Sequence, residues 1–211
     1  MQRTVLTLGL LAVLLIAGRA QATLIDRGNG LIYDNVLNIT WLQDANYAMT
    51  SGFDADGLMN WADAMAWANG LVYQGFSDWR LPTISSTSPT TTPFFCNSGT
   101  AAACAARGNE LGYMYYHNMD GSGRNMGTQT VNGVNLNNVQ SLYWSGTEFS
   151  TIGVWNFAFD AGDQGLSHKQ DPDVAWAVRD GDSVSVPEPA SLLLLGMGLG
   201  VAGLARRWWG R

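Results

Sequence analysis

The side chains of this 211-residue chain that could bind or transform a ligand are mainly paired aspartates. Four pairs lie in segments rich in turn-forming residues: Asp54/Asp56, Asp160/Asp163, Asp171/Asp173 and Asp180/Asp182. Oxygen-rich loops can hold Ca²⁺, which takes six to eight hard ligands, but no pair matches the twelve-residue EF-hand loop. The default interpretation is a solvated acidic loop, with Ca²⁺ as a candidate ligand and no metal site assigned. Asp171 and Asp173 are candidate ligand-binding residues.

Catalytic motifs find little support in the sequence. His117 and His168 are the two histidines, and neither lies in a hydrolase or metalloprotease pattern. We therefore expect no enzyme, no catalytic residues and no cofactor. The carboxylate pairs of glycosidases are set by geometry and not by spacing, so a secreted hydrolase acting on matrix polysaccharide stays the alternative.

The run DWRLPT at residues 78–83 allows a structural and a functional interpretation. On a strand, Trp79 and Leu81 would fill the core and Arg80 would pair with a buried carboxylate. Alternatively, the Trp79 ring would stack on a sugar. The structural interpretation is favoured because seven tryptophans between the two chain ends are most easily explained as core. Trp79, Arg80 and Trp144 are retained as candidate ligand-binding residues.

Alternating apolar and polar residues predict the strands that must position these groups. The predicted strands are residues 141–147, 152–160 and 174–179, and a hairpin of residues 30–34 and 38–41. Residues 161–173 are predicted to be a polar loop.

Two helices complete the predicted elements. Asp56 is expected to cap the first, Leu58 and Trp61 to lie on its apolar face, and Gly70 to end it. The second is predicted over residues 110–117. Helices in the first half and strands in the second predict an α+β fold.

The charge of the central part excludes one class of partner. Residues 23–186 carry 16 acidic and six basic side chains, a net charge of −10. Such a surface repels phosphate backbones, so we expect no nucleic acid as a partner.

The amino-terminal residues have the pattern of a secretory signal peptide. Arg3 precedes a short apolar run, and Ala20 and Ala22 stand at the −3 and −1 positions of a cleavage site. We expect cleavage after Ala22, with a membrane anchor as the alternative. In an exported chain, Cys96 and Cys104 are predicted to form a disulfide that contributes about 2–3 kcal/mol.

The carboxyl-terminal residues predict a short membrane helix. Pro187, Glu188 and Pro189 precede an uncharged apolar stretch at about 190–205, and Arg206 and Arg207 follow it. The arginines favour the cytoplasmic side of the inner membrane, which places the central part outside. The predicted organisation is therefore a signal peptide at 1–22, one domain at 23–183 and a tail at 186–211.

This tail resembles the PEP-CTERM sorting signal of Gram-negative bacteria. The resemblance implies recognition by an exosortase, which removes the tail after export, in bacteria that make exopolysaccharide. The protein would be anchored in the inner membrane transiently and would then reach the cell surface or be secreted. An uncleaved tail anchor is the alternative.

The central part resembles the DUF1566 family, also called Lcl C-terminal. The resemblance rests on GLIYD at 30–34, TWLQDANY at 40–47, GFSDWRLPT at 75–83, YWS at 143–145 and WAVR at 176–179. It implies a single compact C-type-lectin-like domain with an antiparallel sheet and long loops, and surface adhesion through polysaccharides. The negative charge disfavours sulfated polyanions, so a neutral or cationic glycan, or a surface protein, fits better.

These observations predict an exported, exosortase-sorted protein of the cell surface or extracellular matrix. Its domain is expected to be a non-enzymatic, lectin-like binding module associated with exopolysaccharide and biofilm.

Overall fold

The computed structural model describes residues 24–84, 108–121 and 126–183 of the chain. The strands within these ranges are β1 Leu24–Gly28, β2 Leu31–Asp34, β3 Ile39–Leu42, β4 Leu58–Met59, β5 Gly127–Val131, β6 Val134–Val139, β7 Leu142–Glu148, β8 Gly153–Ala158, β9 Asp163–His168, β10 Asp173–Val174 and β11 Val178–Asp180. The helices are α1 Tyr47–Thr50, α2 Trp61–Gly70 and α3 Glu110–Tyr113, and a π-helical turn, Met114–Asn118, continues α3.

A four-stranded sheet has the order β1-β2-β3-β11, with every neighbouring pair antiparallel. The predicted hairpin of residues 30–34 and 38–41 is confirmed as β2 and β3. Its turn is stabilised by the buried Asp34 carboxylate, which accepts the backbone N–H groups of Val36 and Leu37 at 2.9 Å. Such side-chain-to-backbone bonds favour a turn directly after a strand.

A five-stranded sheet has the order β4-β10-β7-β8-β9, in which only the β10–β7 contact is parallel. The predicted strands at 141–147 and 152–160 are confirmed as β7 and β8. The predicted loop at 161–173 is wrong, because β9 occupies part of it. This edge strand is mostly polar and half-exposed, so apolar periodicity does not reveal it.

Residues 174–179 do not form the single strand that their alternation predicts. β10 lies in the five-stranded sheet and β11 in the four-stranded sheet, and residues 175–177 cross between them. Trp176 in the crossing is fully buried and donates its Nε1–H to the carbonyl of Leu42 at 2.8 Å. Residues 175–177 are all buried and apolar, so the sequence alone does not distinguish this crossing segment from a buried strand.

The helix α2 begins later than predicted. Its N-cap is Asn60, whose side chain accepts the N–H of Asp63, so the prediction of Asp56 as the cap is wrong. Asp56 instead accepts the N–H of Leu58, which lies in β4 and not on the helix. The second predicted helix is confirmed as α3 and its π-helical continuation.

Aromatic side chains dominate the core between the two large sheets. Trp41, Trp144 and Trp176 are fully buried, and the rings of Trp41 and Trp176 are 4.8 Å apart. The described chain is thus β-rich, with antiparallel sheets and few helices. Strands occur from its first residues onward, contrary to the predicted division into a helical and a β half, and the β5–β6 hairpin was not predicted.

None of the helices within the described ranges is long and apolar enough to cross a membrane. The predicted signal peptide, the Cys96–Cys104 disulfide and the tail with Pro187, Arg206 and its apolar helix lie outside the described residues, and so do Glu188, Pro189 and Arg207.

Candidate functional site

Trp79 of the DWRLPT run lies in the core. Its side chain is 2% exposed, and its Nε1–H is donated to the carbonyl of Phe76 at 3.1 Å. Trp144 is fully buried and donates its Nε1–H to the carbonyl of Met59 at 2.7 Å. Neither ring therefore presents a face to solvent on which a sugar could stack.

Arg80 joins three distant parts of the chain. Its Nη1 and Nη2 atoms each donate to one Glu110 oxygen at 2.8 Å, and Nη2 also donates to Asp180 at 2.6 Å. Glu110 is buried and additionally accepts the N–H of Thr83 at 2.7 Å. The pairing of Arg80 with a buried carboxylate is as the structural interpretation predicts, and it leaves the guanidinium engaged within the fold.

Arg179 forms a second engaged pair. Its Nε and Nη2 atoms donate to the two oxygens of Asp78 at 2.7 and 2.8 Å, and its guanidinium lies 4.0 Å from the centre of the Phe76 ring. The hydrogen bond from Arg179 holds the pKa of Asp78 below its ordinary value, although burial acts in the opposite direction. Arg27 similarly pairs with Asp182.

The aspartate pairs considered for Ca²⁺ are not gathered into a site. Asp180 and Asp182 form ion pairs with Arg80 and Arg27, respectively. Asp173 is buried and accepts a hydrogen bond from the Ser167 hydroxyl at 2.9 Å. Burial raises the pKa of Asp173. Within the three described ranges, no three His, Cys, Asp or Glu side chains form a group that could hold a metal ion.

A surface cleft of about 410 Å³ is the strongest candidate site within the described ranges, and we call it the Phe53 cleft. It is lined by Phe53, Asp54, Leu58, Met59, Asn60, Asp63, Ala66 and Gln170. The Phe53 ring is 62% exposed, so it is accessible to a ligand that enters the cleft. The cleft thus combines one aromatic ring with carboxylate and amide groups.

Local turns hold the polar groups of this cleft. Asn60 accepts the N–H of Asp63 at 3.0 Å, and its amide donates to the Asp63 carboxylate at 2.6 Å, a reciprocal arrangement at the start of α2. Asp54 accepts the N–H groups of Asp56 and Gly57 at 3.1 and 2.8 Å. These two backbone hydrogen bonds lower the pKa of Asp54, so it is ionised at neutral pH.

The turn between β9 and β10 contributes one residue, Gln170, to the lining of the Phe53 cleft. The backbone carbonyl of Lys169 accepts the N–H of Trp61 at 2.9 Å. The backbone N–H of Lys169 donates to the carbonyl of Ile152, also at 2.9 Å. The Lys169 ammonium is 3.0 Å from a Glu148 oxygen and 4.8 Å from the centre of the Trp61 ring. These two backbone hydrogen bonds fix the position of Lys169 and therefore of Gln170, which follows it in the chain.

A second cleft, of about 400 Å³, is also lined by residues of this turn. Its lining comprises Thr151, Ile152, His168, Lys169, Gln170 and Asp171. Of the five residues retained as candidate ligand-binding residues, Asp171 lines one of the two clefts and the other four line neither. Asp171 is exposed, and it accepts the N–H of His168 at 2.8 Å. Gln170 therefore borders both clefts.

Sequence reasoning missed Phe53, Asn60 and Gln170. Residues 51–57, SGFDADG, form a polar, glycine-rich segment with one large aromatic residue. An isolated aromatic in such a segment has no apolar stripe to join, and this signal could have indicated an exposed ring. Gln170 carries no comparable signal in the sequence.

Comparison with known families gives two matches. The model of the Lcl C-terminal domain matches residues 30–179, a span that contains both clefts. The model of the PEP-CTERM protein-sorting motif matches residues 185–211. No curated protein matches the chain.

Proposed function

This chain belongs to the Lcl C-terminal domain family, a family of surface-protein domains. From that membership we propose that the domain at residues 30–179 binds saccharides outside the cell. The PEP-CTERM motif indicates export and sorting by exosortase in a Gram-negative bacterium. The proposed protein is a surface or matrix component whose lectin-like domain contacts exopolysaccharide and contributes to biofilm.

The observation that carries this proposal is the exposed Phe53 ring in a polar cleft. The C–H face of a sugar packs on an aromatic ring, and its hydroxyl groups form hydrogen bonds with planar carboxylates and amides. Asn60, Asp63 and Gln170 supply such groups beside the ring. A volume of about 410 Å³ falls in the range of small-ligand sites.

We further propose that the domain is not an enzyme. A glycosidase needs one carboxyl group with a raised pKa to protonate the leaving group. In the Phe53 cleft, the pKa of Asp54 is shifted in the opposite direction. The hydrolase alternative is tested by the release of reducing ends from any polysaccharide that the protein binds.

The first experiment is a glycan array probed with the full chain in detergent, with and without EDTA. We expect binding of neutral or cationic glycans that survives EDTA and is lost in Phe53→Ala. Val72→Ala is the control, because Val72 is 70% exposed and lies outside both clefts. Absence of glycan binding, or equal binding by the Phe53 variant, would overturn the proposal.

A further inference from the structure

We propose that the Phe53 cleft selects hexosamine polymers that carry free ammonium groups. This inference rests on the proposed saccharide-binding function and names its ligand class. The two charged residues that line the cleft are Asp54 and Asp63, and the remaining lining residues are neutral. An amino sugar would place a cation beside carboxylates while its ring packs on Phe53.

Within the described ranges, no Lys or Arg side chain pairs with the carboxylates of the cleft. Four such side chains lie in these ranges, and each forms an ion pair with a carboxylate outside the cleft. Arg27 pairs with Asp182, Arg80 with Glu110 and Asp180, Lys169 with Glu148, and Arg179 with Asp78. Asp54 and Asp63 therefore have no Lys or Arg partner in the part of the chain that the structure describes.

Lys169 is the cation nearest in sequence to a residue of the cleft. Its ammonium lies 3.0 Å from Glu148 and over the Trp61 ring, and it lines the second cleft and not the Phe53 cleft. Glu148 thus compensates its charge. Among the described residues, the charged groups that line the Phe53 cleft are two carboxylates, and both these groups and the aromatic ring attract an ammonium group.

Local hydrogen bonds orient each of the two carboxylates. Asp54 is kept ionised by the N–H groups of Asp56 and Gly57, and its loop is held by these bonds before any ligand arrives. The Asn60 amide donates to Oδ2 of Asp63, and no hydrogen bond within the described ranges occupies Oδ1, which leaves that oxygen for a ligand. A site whose polar groups are already oriented loses less entropy on binding.

The test compares two probes with the same backbone: a β-1,4-linked glucosamine tetrasaccharide with free amines, and its fully N-acetylated counterpart. Calorimetry on the full chain in detergent, at mildly acidic pH and low salt, is expected to show about tenfold tighter binding of the amine form. Added salt should reduce this preference, because the contacts are exposed.

Variants that remove one negative charge test which carboxylates cause the preference for the amine probe. Asp54→Asn and Asp63→Asn preserve the oxygen acceptors of the local turns and should each weaken binding of the amine probe about fivefold. The matched control is Asp160→Asn. Asp160 is exposed and lies in the turn between β8 and β9, next to the Ala158–Asp163 pair. The clefts lie at the opposite end of this hairpin, where Gly153 pairs with His168.

The outcomes separate the two proposals. Equal binding of the two probes, both lost in Phe53→Ala, would overturn the ammonium selectivity and leave the saccharide site standing. An amine preference that Asp160→Asn reduces as much as the two cleft variants would also overturn it, because the whole negative surface would then be responsible. Failure of the panel and of both probes to bind would overturn the proposed function itself.

Discussion

Arg80 and Glu110 face each other as a two-bond pair, with Nη1–Oε2 and Nη2–Oε1 distances of 2.8 Å. Arg80 follows Trp79 in the DWRLPT run, and Glu110 is the first residue of α3. The pair therefore links the DWRLPT run to this helix. Its role is to hold the fold together, because both partners are occupied by protein atoms.

Loss of this pair should destabilise the domain strongly. Glu110→Gln leaves a partly buried guanidinium without its main carboxylate, and we expect a loss of about 2–4 kcal/mol in the free energy of unfolding. The expected value lies below that of a fully buried pair because the Arg80 side chain is 28% exposed. Urea unfolding of both proteins checks this. A loss equal to that of Glu148→Gln, at the exposed partner of Lys169, would contradict it.

The hydrogen bond of Trp176 should be visible in a matched pair of variants. Trp176→Phe removes ring volume and the bond to the Leu42 carbonyl, whereas Nε1 of Trp41, which is equally buried, has no hydrogen-bond partner among the described residues. We therefore expect Trp176→Phe to cost about 1–2 kcal/mol more than Trp41→Phe in urea unfolding. Equal losses would show that the bond contributes nothing.

Two glycines beside Phe53 should respond differently to alanine. Gly52 and Gly57 have φ values of +75° and +80°, so either substitution strains the backbone by about 1–2 kcal/mol. At Gly57 a Cβ would also overlap the side-chain oxygen of Asn46, whereas at Gly52 it would meet no atom within 4 Å. We expect Gly57→Ala to lower the melting temperature more than Gly52→Ala. The reverse order would contradict the described loop.

Asp173 should make stability depend on pH. Burial raises its pKa above 3.8, although hydrogen bonds from Ser167 and Asn156 oppose the shift. The folded state therefore binds this proton more tightly than the unfolded chain. Its contribution to stability is fully present below the ordinary pKa and is lost as pH rises through the raised pKa.

Asp173→Asn removes this titration. The unfolding free energy of the wild type minus that of the variant should be constant below the ordinary pKa and should fall as pH rises through the raised pKa of Asp173. Urea unfolding across this range measures the difference. A difference that stays constant, or rises with pH, would show that burial does not raise the pKa of Asp173.

Local sequence was sufficient where an element depends on its own residues. The β2–β3 hairpin, β7, β8 and the region of α3 follow from periodicity, because each has an apolar face and turn residues at its end. The N-cap of α2 was misplaced because Asp56 and Asn60 are both good capping residues. Which one caps depends on β4, whose pairing with β10 starts the helix only at Trp61.

The sequence by itself determined the export and sorting motif, the family, the acidic character and most of the strands, since these depend on residue order and composition. Only the tertiary structure decided that Trp79 and Trp144 are core, that Arg80 joins Glu110, and that residues 174–179 are divided between two sheets. It also brought Phe53, Asp63 and Gln170 to one cleft. Contacts between residues more than a hundred positions apart follow from the packing of the sheets, and no local pattern encodes that packing.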